Sequence, residues 1–340
     1  MDREIKTTEM HCGGGAVRII DSGFPKLTQP TLLGKRREVT EKHDKIRSYL
    51  LSEPRGHSDL YGVVPCDSEL EEADLGVLLM HNAGMGIMCG HAIMAVARYA
   101  VDKGIVKRAH DPSGTSVNIH CPCGLVKTTV LPDNSVTFIS VPSFVAISGL
   151  DLRLSSGRQV KVDIVFGGTF YALLDSTQLG IHISEEPICQ LTQLGEEIKN
   201  LVNSTQKLLH PESEDLCICG GTLIHDGVGG TRDSANILVY GNQQVERSAG
   251  GSCVSARLAH QFSAGDIQKQ EIKVCFNSKV PHSMLSGKVI DELELVLPDG
   301  RAVQAVRTAV TGRPFYIGEN KYFMEEDDFI SKNGGFLIQQ

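Results

Sequence analysis

The run MHNAGMGIMCGHAIMAVARYAVDKG (residues 80–104) sets the architecture of this chain. It follows an apolar, strand-like stretch at 75–80 and breaks at a turn containing Gly84, Gly86 and Gly90. It then becomes a helix with Ile93, Val96, Ala97, Ala100 and Val101 at helical spacing and Gly104 as its C-terminal stop. Strand, tight turn and helix together make an α/β unit. Cys89 stands just before the helix start, where the first backbone N–H groups lack internal partners and the helix dipole is positive. That setting favours a thiolate and can also hold a carboxylate. His91, two residues on, can add charge or a hydrogen bond. The ordinary fate of an intracellular cysteine is burial as a small apolar group, so the turn and its glycines are what single Cys89 out.

A second copy of this device lies downstream. A strand-like stretch at 237–240 leads to Ser248-Ala249-Gly250-Gly251-Ser252-Cys253, and a helical stretch, VSARLAHQFSAG, ends at Gly265. Cys89 precedes Gly104 by fifteen residues, and Gly250 precedes Gly265 by the same fifteen. An earlier pair repeats too: Gly13-Gly14 and Gly167-Gly168 are each followed by a strand-like run ending in Asp, at Asp21 and Asp175. The offsets are 161 and 154. The expected fold is therefore α/β (α+β) in two similar halves. The first covers 1–158 and takes back the tail at 317–340; the second covers 159–316. Two facing helix N-termini would form a pocket for the carboxylate of a small amino-acid-like substrate. Only the first half has a thiol at the matching position, since Gly250 lies opposite Cys89. One-sided chemistry is expected.

Composition narrows the function classes. The chain has 340 residues, 41% hydrophobic and 22% charged, with 33 Lys and Arg against 41 Asp and Glu, a formal charge of −8. That balance argues against a non-specific grip on nucleic acid or anionic lipid. No apolar run approaches the roughly 20 residues of a membrane span. The N-terminal MDREIKTTEM lacks an apolar signal core. The expectation is a cytoplasmic chain whose ten cysteines are thiols rather than disulfides. Cys121-Pro122-Cys123 and Cys217-Ile218-Cys219 lack the CxxC spacing of a structural zinc site, so no metal is expected. Neither GGGA (13–16) nor GVGGTR (227–232) has the form of a phosphate loop.

Taken together, the motifs resemble those of the proline racemase family. MCGHA at Met88 to Ala92 looks like its first catalytic motif. MHCGGGAVRI from Met10, EPRGH from Glu53, VTG from Val310 and GGF from Gly334 match it as well. HCPCGLV from His120 and HPESEDL from His210 are most similar to the branch that dehydrates trans-3-hydroxy-L-proline. The resemblance implies two halves of the diaminopimelate epimerase fold with the active site between them, no cofactor, a small amino- or imino-acid substrate and a homodimer. It implies Cys89 as the base at the substrate α-carbon, with Gly90, His91, Gly251 and Ser252 holding the carboxylate. His11 is a further candidate contact. The second motif departs from the family pattern. Glu246 replaces an Asp facing the substrate amine, and Gly250 replaces the Cys of racemases or the Thr of dehydratases. In the first glycine turn, Gly15 and Ala16 replace Glu-Pro and Cys12 replaces Thr. Cys253, one helical turn beyond Gly250, is open to two readings, a compensating thiol or a helix-packing cysteine. The implied reaction is dehydration to Δ1-pyrroline-2-carboxylate. The alternatives are a one-base isomerase or lyase on a different metabolite, and a catalytically lapsed amino-acid binder.

Overall fold

Strand β1 (Arg3–Cys12) buries Ile5, Met10 and Cys12, and folds back through the turn at 13–14 onto antiparallel β2 (Gly15–Ser22). The computed structural model describes residues 3–109, 111–226, 234–325 and 327–337, so the GVGGTR segment at 227–232 lies outside the described residues. The chain divides into two compact units, Met1–Phe138 with Gly312–Gln340, and Ile139–Thr311.

In the first unit, α1 (Leu32–Glu38) and α2 (Asp44–Leu51) cross over to β3 (Tyr61–Cys66), which lies parallel to β2. Strand β4 (Leu75–His81) is antiparallel to β3 and makes a short hairpin with β5 (Gly84–Met85). Helix α3 (Gly90–Asp102) follows, and β6 (Thr115–Cys121) returns parallel to β4. Strand β7 (Gly124–Val130) is antiparallel to β6, and β8 (Val136–Ile139) ends this stretch. Helix α3 packs against β1, β2, β6 and β7, and eleven of its thirteen residues are buried. Its alanines let the strands of its sheet approach closely. The opposite face is covered by Leu32, Val39, Ile46, Tyr49 and Leu50 of the crossover segment.

The second unit repeats this plan. Strand β9 (Ser143–Arg153) pairs antiparallel with β10 (Gln159–Phe166), which pairs antiparallel with β11 (Phe170–Asp175). Helix α4 (Ile188–Thr205) crosses to β12 (Cys219–His225), parallel to β11. Strand β13 (Ser234–Tyr240), the short β14 (Gln244–Val245) and helix α5 (Gly251–Ser263) follow. Strand β15 (Lys273–Asn277) lies parallel to β13, and β16 (Met284–Val296) is antiparallel to β15. Strand β17 (Ala302–Gly312) pairs with β16 and, through Ala305 and Phe144, with β9. The ring closes into a barrel, and α5 packs inside against β9, β10 and β16. Helix α4 is bounded at both ends by local backbone chemistry. Pro187, which has no N–H to give, sets its start, and Gln206 leaves it in extended conformation.

The alternation of parallel and antiparallel pairings from β2 to β7 recurs from β11 to β16, with thirteen-residue α3 and α5 at matching places. Two similar α/β halves are thus present. The chain then rejoins the first unit, where β18 (Pro314–Met324) pairs with the free edge of β1 and α6 (Phe329–Lys332) follows. The EPRGH and GGF motifs meet there: the amide of Glu53 donates to the Phe336 carbonyl at 2.9 Å, and that of Phe336 to the Glu53 carbonyl at 3.1 Å. Arg55 also donates to Ser331 Oγ at 2.7 Å, so this loop clasps the chain's end within the first unit.

Candidate functional site

The β4–β5 hairpin delivers Cys89 to the N-cap of α3 in extended conformation, φ −147° and ψ 102°. Its carbonyl accepts the Ile93 amide at 3.0 Å, as an N-cap does, whereas its sulfur makes no capping hydrogen bond. The sulfur lies 3.3 Å from His91 Nδ1. Both residues are buried, and the His91 ring sits edge-on to Tyr61, with centroids 5.3 Å apart. A thiol within reach of an imidazole at a helix N-terminus is in the surroundings that stabilise a thiolate. His11 pairs with Phe315 across β1 and β18 and stacks on it at 5.4 Å. Burial lowers its pKa and favours the neutral ring, whose Nδ1 accepts the Gly14 amide at 3.4 Å. Cys12 is buried with its sulfur 4.0 Å from the Met94 sulfur of α3, a packing contact.

In the second unit, the β13–β14 hairpin leads into the buried turn carrying Glu246. The Glu246 carboxylate accepts the Ser248 amide at 2.8 Å, and Ser248 Oγ accepts the Gly250 amide at 3.0 Å. Asn277 Nδ2 donates to the carbonyls of both Glu246 and Ser248 at 2.8 Å, while Asn236 Nδ2 donates to that of Ala249 at 3.2 Å. Asn236 and Asn277 face each other in the parallel pairing of β13 and β15. They pin the turn, and sequence reasoning missed both. It also missed Tyr171 of β11, whose hydroxyl is 2.7 Å from Ser252 Oγ in the first turn of α5. Gly167 packs so closely on this turn that a Cβ there would stand 2.4 Å from the Ser252 carbonyl oxygen. The repeated Gly-Gly pair was the available signal for that approach.

Gly250 caps α5 as Cys89 caps α3, and its carbonyl accepts the Val254 amide at 2.8 Å. Its backbone has φ 76° and ψ 101°, a region L side chains rarely adopt. A Cβ at this position would lie 2.7 Å from Cys253 Sγ and 2.9 Å from Cys253 Cβ. The side-chain space beside Gly250 is therefore filled by Cys253.

The CxC and HPESEDL motifs lie elsewhere in their units. Cys121 and Cys123 are buried with sulfurs 3.2 Å apart, and their hydrogen bond together with burial pushes the Cys123 thiol well up. His210 packs on Phe166 at 4.8 Å, and its Nδ1 accepts the Glu212 amide at 3.2 Å. Burial pushes its pKa down to about 4. A neutral buried histidine stabilises the fold above its unfolded pKa of about 6.5 and loses that contribution as pH falls towards 4. Acidification from pH 7 to 4.5 is expected to lower the unfolding free energy through His210 by about 2–3 kcal/mol. Urea unfolding at both pH values should show a correspondingly smaller drop in His210→Gln, whose amide oxygen can still accept the Glu212 N–H. Equal drops in both proteins would refute this assignment.

A family model described as proline racemase matches residues 7–335. The chain belongs to the proline racemase family. Among its curated relatives, the trans-L-3-hydroxyproline dehydratase of Saccoglossus kowalevskii is 40% identical, covering 97% of this chain and 100% of the relative. The trans-3-hydroxy-L-proline dehydratase of Homo sapiens is 38% identical, covering 98% of this chain and 95% of the relative. The crystal structure of a probable proline racemase from Agrobacterium radiobacter K84 shares the fold, with a TM-score of 0.87 and 23% identity over 98% of this chain and 96% of that one. Among the described residues, no helix is long and apolar enough to cross a membrane.

Proposed function

We propose that this proline racemase family member dehydrates trans-3-hydroxy-L-proline, or a closely related cyclic β-hydroxy imino acid, to Δ1-pyrroline-2-carboxylate. The observation carrying this reading is identity of 38–40% to two dehydratases along nearly the whole chain. The Cys89 thiolate takes the α-proton, and the electron pair left behind forms the Cα–Cβ double bond as the Cβ–O bond breaks. The hydroxyl leaves with a proton as water, and the resulting enamine tautomerises to the cyclic imine. Carboxylate binding is assigned to the first-turn amides of Gly90, His91, Gly251 and Ser252, where oriented donors and helix dipoles stabilise the charge developing on the carboxylate. Glu246 is assigned to the substrate amine. The reading takes the chain as a cofactor-independent enzyme of the cytoplasm that works as a homodimer.

The test is incubation with trans-3-hydroxy-L-proline in D2O, followed by NMR, with L-proline and trans-4-hydroxy-L-proline as controls. Formation of Δ1-pyrroline-2-carboxylate from the first compound alone is the expected result. Deuterium entering the α-position without product would replace this reading by a one-base isomerase. Binding with neither exchange nor product would replace it by an amino-acid binder.

A further inference from the structure

The two CxC motifs share a spacing but not a geometry. In the first, Cys121 is the last residue of β6 and pairs with Gly124, the first of β7, so Pro122 and Cys123 form the turn of a tight hairpin. In a continuous strand, residues two apart have Cα atoms about 6.6 Å apart and side chains that run parallel. The turn, with φ fixed at Pro122, instead folds Cys123 back until its sulfur lies 3.2 Å from that of Cys121. In the second motif the sulfurs face other partners. That of Cys217 accepts the His210 amide at 3.2 Å, and that of Cys219 donates to the Gly221 carbonyl at 3.4 Å. The close sulfur pair is therefore made by the hairpin, not by the spacing.

We infer that Cys121 and Cys123 form a reversible redox site, which a small hydroperoxide such as hydrogen peroxide closes to an intramolecular disulfide. Both sulfurs are buried, which favours a water-sized oxidant over a bulky one. The Cys123 proton is held by its hydrogen bond to Cys121 and by burial, so Cys121 is the sulfur that attacks. It displaces water from the peroxide and becomes a sulfenic acid. The Cys123 sulfur then forms the S–S bond, and the sulfenic oxygen leaves as a second water. Two thiols and one hydrogen peroxide thus give one disulfide and two waters, with the sulfurs oxidised and the peroxide oxygens reduced. A bridge between residues two apart closes almost no loop, so it adds little stability by restricting the unfolded chain. So small a ring also strains the bond, which eases its reduction by a thiol. Both properties suit a reversible modification rather than a structural staple. The strands of this hairpin are among those that α3, the helix capped by Cys89, packs against.

In the test, fully reduced protein is exposed to a slight excess of hydrogen peroxide, unfolded, alkylated with N-ethylmaleimide and analysed by peptide mass spectrometry. The peptide carrying Cys121 and Cys123 is expected to lose two hydrogens and take up no maleimide. Dithiothreitol should restore both of its alkylatable thiols. The peptide carrying Cys217 and Cys219 should stay fully alkylated, because its sulfurs face other partners. Two alkylated thiols at 121 and 123 after oxidation would overturn the inference, as would equal oxidation of 217 and 219. In Cys123→Ser no second sulfur can resolve the sulfenic acid, so dimedone should label Cys121. A folded Cys123→Ser without that label would overturn Cys121 as the attacking sulfur. Should this variant fail to fold, the wild-type peptides decide alone. None of these outcomes depends on the dehydration proposed above.

Discussion

Cys89→Ser is expected to lose activity and gain stability at once. As a general base, the thiolate should be worth about 10³-fold in turnover, and a serine hydroxyl is too weakly acidic to supply an oxyanion in its place. The same substitution places one of the best N-capping residues at an N-cap whose present side chain makes no capping hydrogen bond. A serine Oγ can accept an amide from the first turn of α3, which is expected to stabilise the protein by about 0.5–1 kcal/mol. Steady-state product formation and thermal unfolding of one preparation measure both effects. Retained turnover would remove Cys89 from the role of base. A fall in stability together with activity would mean that the thiol is structural and that its loss acts through the fold. The opposite signs are the signature of a residue kept for chemistry at the expense of its helix.

Much of this site could be read in the sequence because it is local. A strand, a glycine turn and an apolar helix with a terminal glycine occupy 75–104 without interruption, and the structure forms β4, α3 and a left-handed Gly104 there. The repeated spacing to Gly265 carried the same reading to α5, which ends at Ser263 before Gly265 at φ 80°. What was hidden depends on partners distant in the chain. Asn236 and Asn277 look like polar interruptions of apolar strands, and only the parallel register of β13 with β15 turns them into pins for the Glu246 turn. Tyr171 reads as an ordinary strand aromatic until the β10–β11 hairpin brings it to Ser252. The crossover helices α1 and α2 were missed because charged residues interrupt their apolar stripes. Strand β18 was missed because it is largely exposed and lacks the alternation of a half-buried strand. Helical spacing alone put Cys253 on the face of position 250; the backbone of Gly250 showed that the sulfur fills the vacated place.

The largest stability effect is expected at Arg18, which lies in the MHCGGGAVRI run but is none of the assigned site residues. Arg18 of β2 and Glu9 of β1 are both buried, and Arg18 Nε donates to Glu9 Oε1 at 2.8 Å. Thr7 Oγ1 donates to the same carboxylate oxygen at 2.6 Å. Arg18 Nη1 donates to the Leu50 carbonyl at the end of α2, and the guanidinium lies 4.6 Å from the centroid of the Tyr322 ring on β18. One side chain thus joins β1, β2, the crossover helix and the returning strand within the first unit. Arg18→Ala would strand the Glu9 carboxylate away from water, deprive the Leu50 carbonyl of a donor and open a cavity beneath Tyr322. Leaving one half of a buried ion pair costs about 3–5 kcal/mol. Urea unfolding should show that loss. Arg18→Met combined with Glu9→Gln should recover more than half of it, because the uncompensated charge is gone and much of the volume is restored. A loss below about 1 kcal/mol in Arg18→Ala would instead mean that water reaches Glu9 once the guanidinium leaves. The buried pair would then set the register of β1 and β2 without contributing much to the stability of the unit.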